Sequence, residues 1–185
     1  MYTFNVKAND EDYLEFNKYH LYNQKSFGKA NKILRIFLPI FALLVLVLAI
    51  ISKKDVDYII ILSCIYLVLS VLWLVFYKRI MLLSIKKTID DMKKQGRLPY
   101  SAQSTLTFSD EGITEVSETG TTSVNYKSVE KIAVNADKAL YIYFTAMSAF
   151  LIPLSMLPEG VTLDELVGFI EEKTGRNAIY DTKNK

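Results

Sequence analysis

Two uncharged apolar stretches decide the fold of this chain. The first, IFLPIFALLVLVLAII, covers residues 36–51, and the second, YIIILSCIYLVLSVLWLVFY, covers residues 58–77. A membrane-spanning helix needs about 20 apolar residues, and a soluble domain of this size rarely carries two such stretches in a row. The pattern therefore predicts a transmembrane helical hairpin over 33–77, with helices at 33–52 and 58–77. Two buried helices of a soluble core are the less favoured alternative.

Basic residues are distributed unevenly around this hairpin. Twelve lie close to its outer ends, between residues 18 and 97, whereas the short turn between the stretches holds only Lys53 and Lys54. By the positive-inside rule, this asymmetry predicts a multi-pass protein of the cell membrane with both termini in the cytoplasm. The first 35 residues are mostly polar, unlike a cleavable signal peptide, so we expect both helices to be retained.

Small residues recur seven positions apart in both predicted helices. Ala42 and Ala49 form such a pair in the first helix, and Ser63 and Ser70 form one in the second. Because small side chains let helices approach closely in a membrane, these four residues are the predicted helix-packing seam. The only cysteine of the sequence, Cys64, lies in the second helix, where we interpret it as a packing residue.

The helical period continues beyond the second stretch and predicts a basic amphipathic linker helix over residues 78–97. Gly96, with Pro99 shortly after it, is a typical helix end. The lysines of this segment have two interpretations. They hold the helix against anionic lipid headgroups, or they are the retention charge of any cytoplasmic juxtamembrane segment. The candidate headgroup contacts are Lys86, Lys87, Lys93 and Lys94.

Residues 98–185 predict a cytoplasmic domain rich in β-strands. Apolar residues alternate in six short runs that are separated by turn residues, and Thr162 begins a capping box for a last helix that Gly175 ends. The segment carries 12 acidic residues against 7 basic residues, which argues against binding of nucleic acid.

Residues 1–32 add one predicted strand, Tyr2–Val6, and one juxtamembrane helix with Asn9 as its N-cap. If this strand pairs with the C-terminal domain, the fold class is α+β, with the helical hairpin inserted after the first strand of a small antiparallel β-barrel. About seven strands closed by a C-terminal helix are the arrangement of a pleckstrin-homology-like (PH-like) barrel. In the alternative, the N-terminal segment does not pair with the domain.

Short motifs along nearly the whole chain resemble those of the YcxB-like family of bacterial membrane proteins. Together with the two apolar stretches they are Asp12-Tyr13 with Phe16 and Tyr19, Phe108 with Asp110-Glu111-Gly112-Ile113, Tyr126 with Val129 and Ile132, Tyr141-Ile142-Tyr143, and Ile152-Pro153. Tyr126 stands where a tryptophan is common in the family. The resemblance implies a small PH-like domain tethered to the membrane, and it implies no particular activity.

No pattern in the sequence points to catalysis. His20 is the only histidine, and we find no nucleophile with a base, no metal-ligand spacing and no glycine-rich phosphate loop. We therefore expect no enzyme, no cofactor and no metal site. The leading hypothesis is a membrane-anchored module that binds a protein or peptide partner in a regulatory or protective role. An accessory subunit of a transporter or channel and a lipid-sensing module are the alternatives.

Three tyrosines are the candidate partner contacts. Tyr141 and Tyr143 alternate with Leu140 and Ile142, so strand geometry puts the two tyrosines on the face opposite to the apolar pair. We expect that face to be exposed, with Tyr126 as a third contact.

Overall fold

The chain divides into two compact units. The computed structural model describes residues 1–23, 25–135 and 138–181, and it describes the side chains of 1–21, 32–135 and 138–181. The folded unit contains Met1–His20 and Ile89–Lys185, and the hairpin unit contains Leu21–Thr88. The side chains of Lys25 and Lys29, which contribute to the predicted positive-inside asymmetry, lie outside the described residues.

Within the described ranges the elements follow one another in a simple order. They are β1 (Tyr2–Lys7), α1 (Asp10–Asn23), α2 (Lys25–Ile51), α3 (Val56–Lys94), β2 (Gln103–Phe108), β3 (Gly112–Ser117), β4 (Gly120–Asn125), β5 (Lys131–Asn135), β6 (Ala139–Tyr143), β7 (Ala149–Pro153), α4 (Leu163–Thr174) and β8 (Ile179–Asp181), with 3-10 turns at Tyr126–Ser128 and Leu154–Met156.

The hairpin unit contains the two predicted apolar helices. By length and composition, Lys32–Ile51 and Val56–Lys94 are both able to cross a membrane. The N–H of Lys53, a residue in the left-handed conformation (φ 49°), and the N–H of Lys54 donate to the last carbonyls of α2, which closes that helix with a Schellman motif. The basic linker helix is not a separate element, because α3 runs without a break to Lys94.

Strand β1 is part of the folded unit. Sheet A has the order β1-β2-β3-β4 and is antiparallel throughout, with Tyr2 opposite Phe108 and Lys7 opposite Gln103. The pairing of the N-terminal strand with the C-terminal domain is therefore confirmed, and the alternative of an unpaired N-terminal segment is wrong.

Sheet B has the order β7-β6-β5-β8, and the six strands predicted after residue 98 correspond to β2–β7. The short strand β8, which the sequence pattern did not predict, pairs parallel with β5. The fold is α+β, but the expected closed barrel of seven strands is corrected to two four-stranded sheets. Among the described residues, no ladder of backbone hydrogen bonds joins sheet A to sheet B, so the edges of the sheets stay open.

The main core lies between the inner faces of the two sheets and α4. It contains the alternate apolar residues of the strands, with Leu166, Val167 and Ile170 from α4. Thr162 and Glu165 form the predicted capping box of α4, and Gly175 ends that helix in the left-handed conformation (φ 66°). Asn9 caps α1 as predicted, because its Oδ1 accepts the backbone N–H groups of Glu11 and Asp12.

Candidate ligand cleft

Helix α1 packs on the outer face of sheet B and buries the tyrosines that were expected to contact a partner. Tyr141 and Tyr143 are 0% and 1% exposed. The ring centroid of Phe16 lies 5.3 Å from that of Tyr141 and 6.0 Å from that of Tyr143, and the Tyr19 ring lies 5.0 Å from Tyr141. The expectation of exposed tyrosines is therefore wrong, because a helix near the N-terminus covers the face on which they lie.

Tyr126 is buried as well, with 4% of its surface exposed. Its hydroxyl donates a hydrogen bond of 2.8 Å to the carbonyl oxygen of Ser109, and its ring meets that of Phe169 edge to face. Burial raises the pKa of Tyr126 to about 12. Tyr126 lies in a 3-10 turn after β4 and has a packing role in this structure.

The interface between α1 and sheet B also contains one histidine and one lysine. The His20 ring stacks on Tyr143 with centroids 6.1 Å apart, and the Lys131 Nζ lies 5.3 Å from the Tyr19 ring centre and 5.5 Å from that of Tyr143. Burial, helped by the positive charge of Lys131, holds the pKa of His20 below its usual range. Burial also lowers the pKa of Lys131.

The four lysines predicted to contact lipid headgroups differ in their surroundings. Lys93 forms an ion pair with Asp10, and the Lys94 Nζ lies 3.6 Å from the carboxylate of Asp91. Lys86 and Lys87 are exposed on α3, and no ion pair links either of them to another described residue. The headgroup role of the four stays a prediction, and it rests best on Lys86 and Lys87.

The predicted helix-packing seam lies within the hairpin unit. Ala42 and Ala49 are buried, while Ser63 and Ser70 are half-buried. The Ser63 hydroxyl donates to the backbone carbonyl of Ile59 in its own helix. Ala42, Ser63 and Ser70 line an apolar groove of about 420 Å³ between α2 and α3.

A separate cleft of about 240 Å³ opens in the folded unit, and its lining includes residues of α1 and of the neighbouring edge strands β1 and β7. Val6 and Ser104 of sheet A line it on one side, and Ala149 and Leu151 of β7 line it on another. The remaining lining residues come from the β1–α1 connection, from α1, from the segment before β2, from β3 and from the β6–β7 turn: Ala8, Tyr13, Phe16, Pro99, Tyr100, Ser101, Glu115, Met147 and Ser148.

Glu115 carries the one charged side chain among these lining residues. It lies in register with Leu106, which is fully buried, so strand geometry directs Glu115 toward the inner face of sheet A. Ile113, two residues earlier on the same face, is also fully buried. The side chain is half-buried, and no ion pair or hydrogen bond connects its carboxylate to another residue in the described ranges.

Two tyrosine rings form a wall of the cleft. Tyr13 and Tyr100 lie with ring centroids 5.2 Å apart, and the Tyr100 hydroxyl donates a hydrogen bond of 2.5 Å to Asp10. The hydrogen bond from Lys93, and then that from Tyr100, lower the pKa of the Asp10 carboxyl. Burial, followed by the bond to Asp10, raises the pKa of Tyr100 to about 12. The Asp10 carboxylate is thus already bound by Tyr100 and Lys93. Glu115 is therefore the negatively charged residue of the cleft that is left to meet a ligand.

This cleft lies partly in a segment that is similar to a known family. Residues 108–160 match the family model of YcxB-like proteins. No curated protein and no solved structure matches the chain. The YcxB-like segment contains Glu115 and the β6–β7 turn, while Tyr13 and Tyr100 lie outside it. The match is shorter than the resemblance drawn from the motifs, which begins at Asp12.

The lining of the cleft combines polar and aromatic groups. It offers one carboxylate, the hydroxyls of Ser101, Ser104 and Ser148, and aromatic faces. Among the described residues, no group of three or more His, Cys, Asp and Glu is placed to hold a metal ion. The sequence interpretation did not single out Glu115, although its spacing of two from Ile113 in a predicted strand was a signal for an inward-facing acid.

Proposed function

We propose that this protein is a membrane-anchored, non-enzymatic interaction module whose folded unit binds a protein or peptide partner at the cytoplasmic face of the cell membrane. The observation that carries the proposal is the cleft beside α1, with its unpaired carboxylate and aromatic wall. A concave surface with a few convergent polar groups is the usual form of a binding site. The partner's role, regulatory or protective, is part of the proposal.

The surface of the hairpin unit supports the membrane anchor. Leu43, Leu67 and Val75 are each more than 60% exposed, and similar apolar side chains surround both helices. Exposing so much apolar surface to water is unfavourable, whereas a bilayer solvates it. The excess of basic residues beyond the two outer ends of the hairpin supports a cytoplasmic position for both termini.

The arrangement of the folded unit supports a PH-like domain. Two four-stranded sheets, antiparallel except for the β5–β8 pair, enclose the main core, and a C-terminal helix packs on that core. The YcxB-like segment covers most of these strands, from the end of β2 to β7. Because a fold carries many functions, this likeness supports the architecture and says nothing about the partner.

Site-directed photo-crosslinking of the full-length protein in cells tests the function. A crosslinker at Met147, which is 66% exposed and lines the cleft, is expected to capture a discrete partner. The control position is Val116, which is 50% exposed on β3 but does not line the cleft. Failure to capture any protein at Met147, or the same set of proteins at both positions, would refute the proposal.

Cysteine accessibility tests the orientation. In a Cys64→Ala background, a cysteine at Ser52 in the hairpin turn is expected to react with a membrane-impermeant maleimide on intact cells. A cysteine at Glu118, in the β3–β4 turn, is expected to react only after the membrane is permeabilised. The reverse pattern would contradict the cytoplasmic placement of the domain.

A second candidate function, the accessory subunit of a transporter or channel, is favoured by the groove on the hairpin. Its small and hydroxyl-bearing lining residues suit close approach of another membrane helix. We expect Ala42→Leu to release a stably associated subunit if this function holds. A lipid-sensing role would instead make Lys86→Glu with Lys87→Glu inactive while membrane insertion is kept.

A further inference from the structure

We infer that the cleft beside α1 binds the cationic side chain, lysine or arginine, of an extended peptide segment of the partner. This inference rests on the proposed function, because it names the chemistry of the partner that the module binds. It begins from Glu115, whose carboxylate lies on the inner face of sheet A without a cation among the described residues.

An acidic side chain on a core-facing position is unfavourable when nothing compensates its charge. Its register partner Leu106 and its neighbour Ile113 are both fully buried, so Glu115 lies beside apolar core residues on this face. Even partial removal of a carboxylate from water has a desolvation cost unless a cation or several donors accompany it. A ligand that carries a cation supplies this compensation when it binds.

The other lining residues favour a positively charged ligand over a negatively charged one. No lysine, arginine or histidine is among them, so an anionic headgroup or phosphate would meet only negative charge and hydroxyls. The paired rings of Tyr13 and Tyr100 line the cleft together with Phe16, and aromatic rings attract ammonium and guanidinium groups. The charge and the rings therefore favour the same class of ligand.

The size of the cleft selects a side chain rather than a larger molecule. Sites for drug-sized ligands usually enclose about 300 to 1,000 Å³, and this cleft encloses about 240 Å³. A long aliphatic stem with a charged end fits such a volume, since the stem packs against Val6, Ala149 and Leu151 while the end reaches Glu115. The hydroxyls of the three lining serines accept the remaining N–H donors of an ammonium or guanidinium.

The test is a binding series with four capped pentapeptides and the full-length protein in mild detergent. The peptides have the sequence Gly-Ser-X-Ser-Gly, where X is lysine, arginine, norleucine or glutamate. Norleucine keeps the lysine stem and removes the ammonium. We expect measurable binding of the lysine and arginine peptides and no binding of the other two. Equal binding of the lysine and norleucine peptides would overturn the inference.

Glu115→Gln is the decisive variant, and Glu111→Gln is its matched control. Both remove one negative charge, but Glu111 is exposed in the β2–β3 turn and does not line the cleft. We expect the lysine peptide to bind Glu115→Gln on the order of tenfold more weakly and Glu111→Gln as it binds the wild type. The thermal unfolding midpoint of Glu115→Gln is expected to equal or exceed that of the wild type, because an uncompensated charge is removed.

Two further readouts separate this inference from the proposed function and from a small free amine. If Met147 captures a partner equally in the wild type and in Glu115→Gln, the cation site is wrong and the interaction module stands. If Met147 captures nothing and no peptide binds, both are wrong. If free n-butylamine binds as tightly as the lysine peptide, the ligand is a small amine and the peptide part of the inference is overturned.

Discussion

Removing the Phe16 ring is predicted to make helix α1 open from sheet B more often. Phe16 lies between the helix and the two buried tyrosines of β6, with ring contacts at 5.3 and 6.0 Å. Replacing a fully buried phenylalanine by alanine costs about 3 to 5 kcal/mol. Since Phe16 is only half-buried, we expect a smaller loss than this for Phe16→Ala, about 2 to 3 kcal/mol.

Hydrogen exchange of the α1 amides, followed by mass spectrometry on the full-length protein, measures this effect. A tenfold change in an equilibrium constant corresponds to about 1.4 kcal/mol, so the expected loss accelerates exchange about 30- to 150-fold. Glu11→Gln, an exposed position of the same helix, is the control, and it is expected to change stability by less than about 0.5 kcal/mol. Acceleration by Phe16→Ala of less than about threefold would refute the reasoning that ring packing holds α1 in place.

Three further predictions concern the stability of the folded unit, measured by urea unfolding and circular dichroism. Tyr126→Phe removes the hydrogen bond to the Ser109 carbonyl and is expected to cost about 1 kcal/mol, so no change would contradict that bond. Thr162→Ala removes one half of the α4 capping box and is expected to lower the free energy of unfolding by about 1 kcal/mol. An unchanged urea midpoint would contradict a stabilising role of this cap. Because burial and the charge of Lys131 lower the pKa of His20, the fold favours the neutral imidazole, and stability is lost as the pH falls through about 6.5. His20→Gln should lose less stability than the wild type between about pH 7.5 and about pH 5, and equal losses would contradict this role.

The sequence predicted the strands that carry strict alternation. Leu140 and Ile142 were assigned correctly to the core face of β6, because a strand places successive side chains on opposite faces. Strand β8 was missed because Ile179–Asp181 is three residues long, too short for a period to be recognised, and its pairing with β5 depends on tertiary structure. The capping motifs of α1 and α4 were recognised because their hydrogen bonds are local in sequence.

The candidate ligand cleft was much less predictable than the fold. Alternation placed Tyr141 and Tyr143 on the correct face, but it carried no information about what covers that face. The cover comes from α1, more than 100 residues earlier in the chain, and only the tertiary fold brings the two together. Glu115 was overlooked for a related reason, since a charged residue in a short strand is more often on the solvent face.

The pairing of β1 with β2 constrains the number of membrane crossings between them. These strands are neighbours in one sheet, yet the whole apolar hairpin lies between them in sequence. Strands that exchange backbone hydrogen bonds must lie in the same compartment. In the proposed membrane arrangement, the chain therefore has to return to the side from which it left, which two spans achieve and one or three do not. This argument uses only the strand register, so it supports the two-span topology independently of the distribution of lysine and arginine.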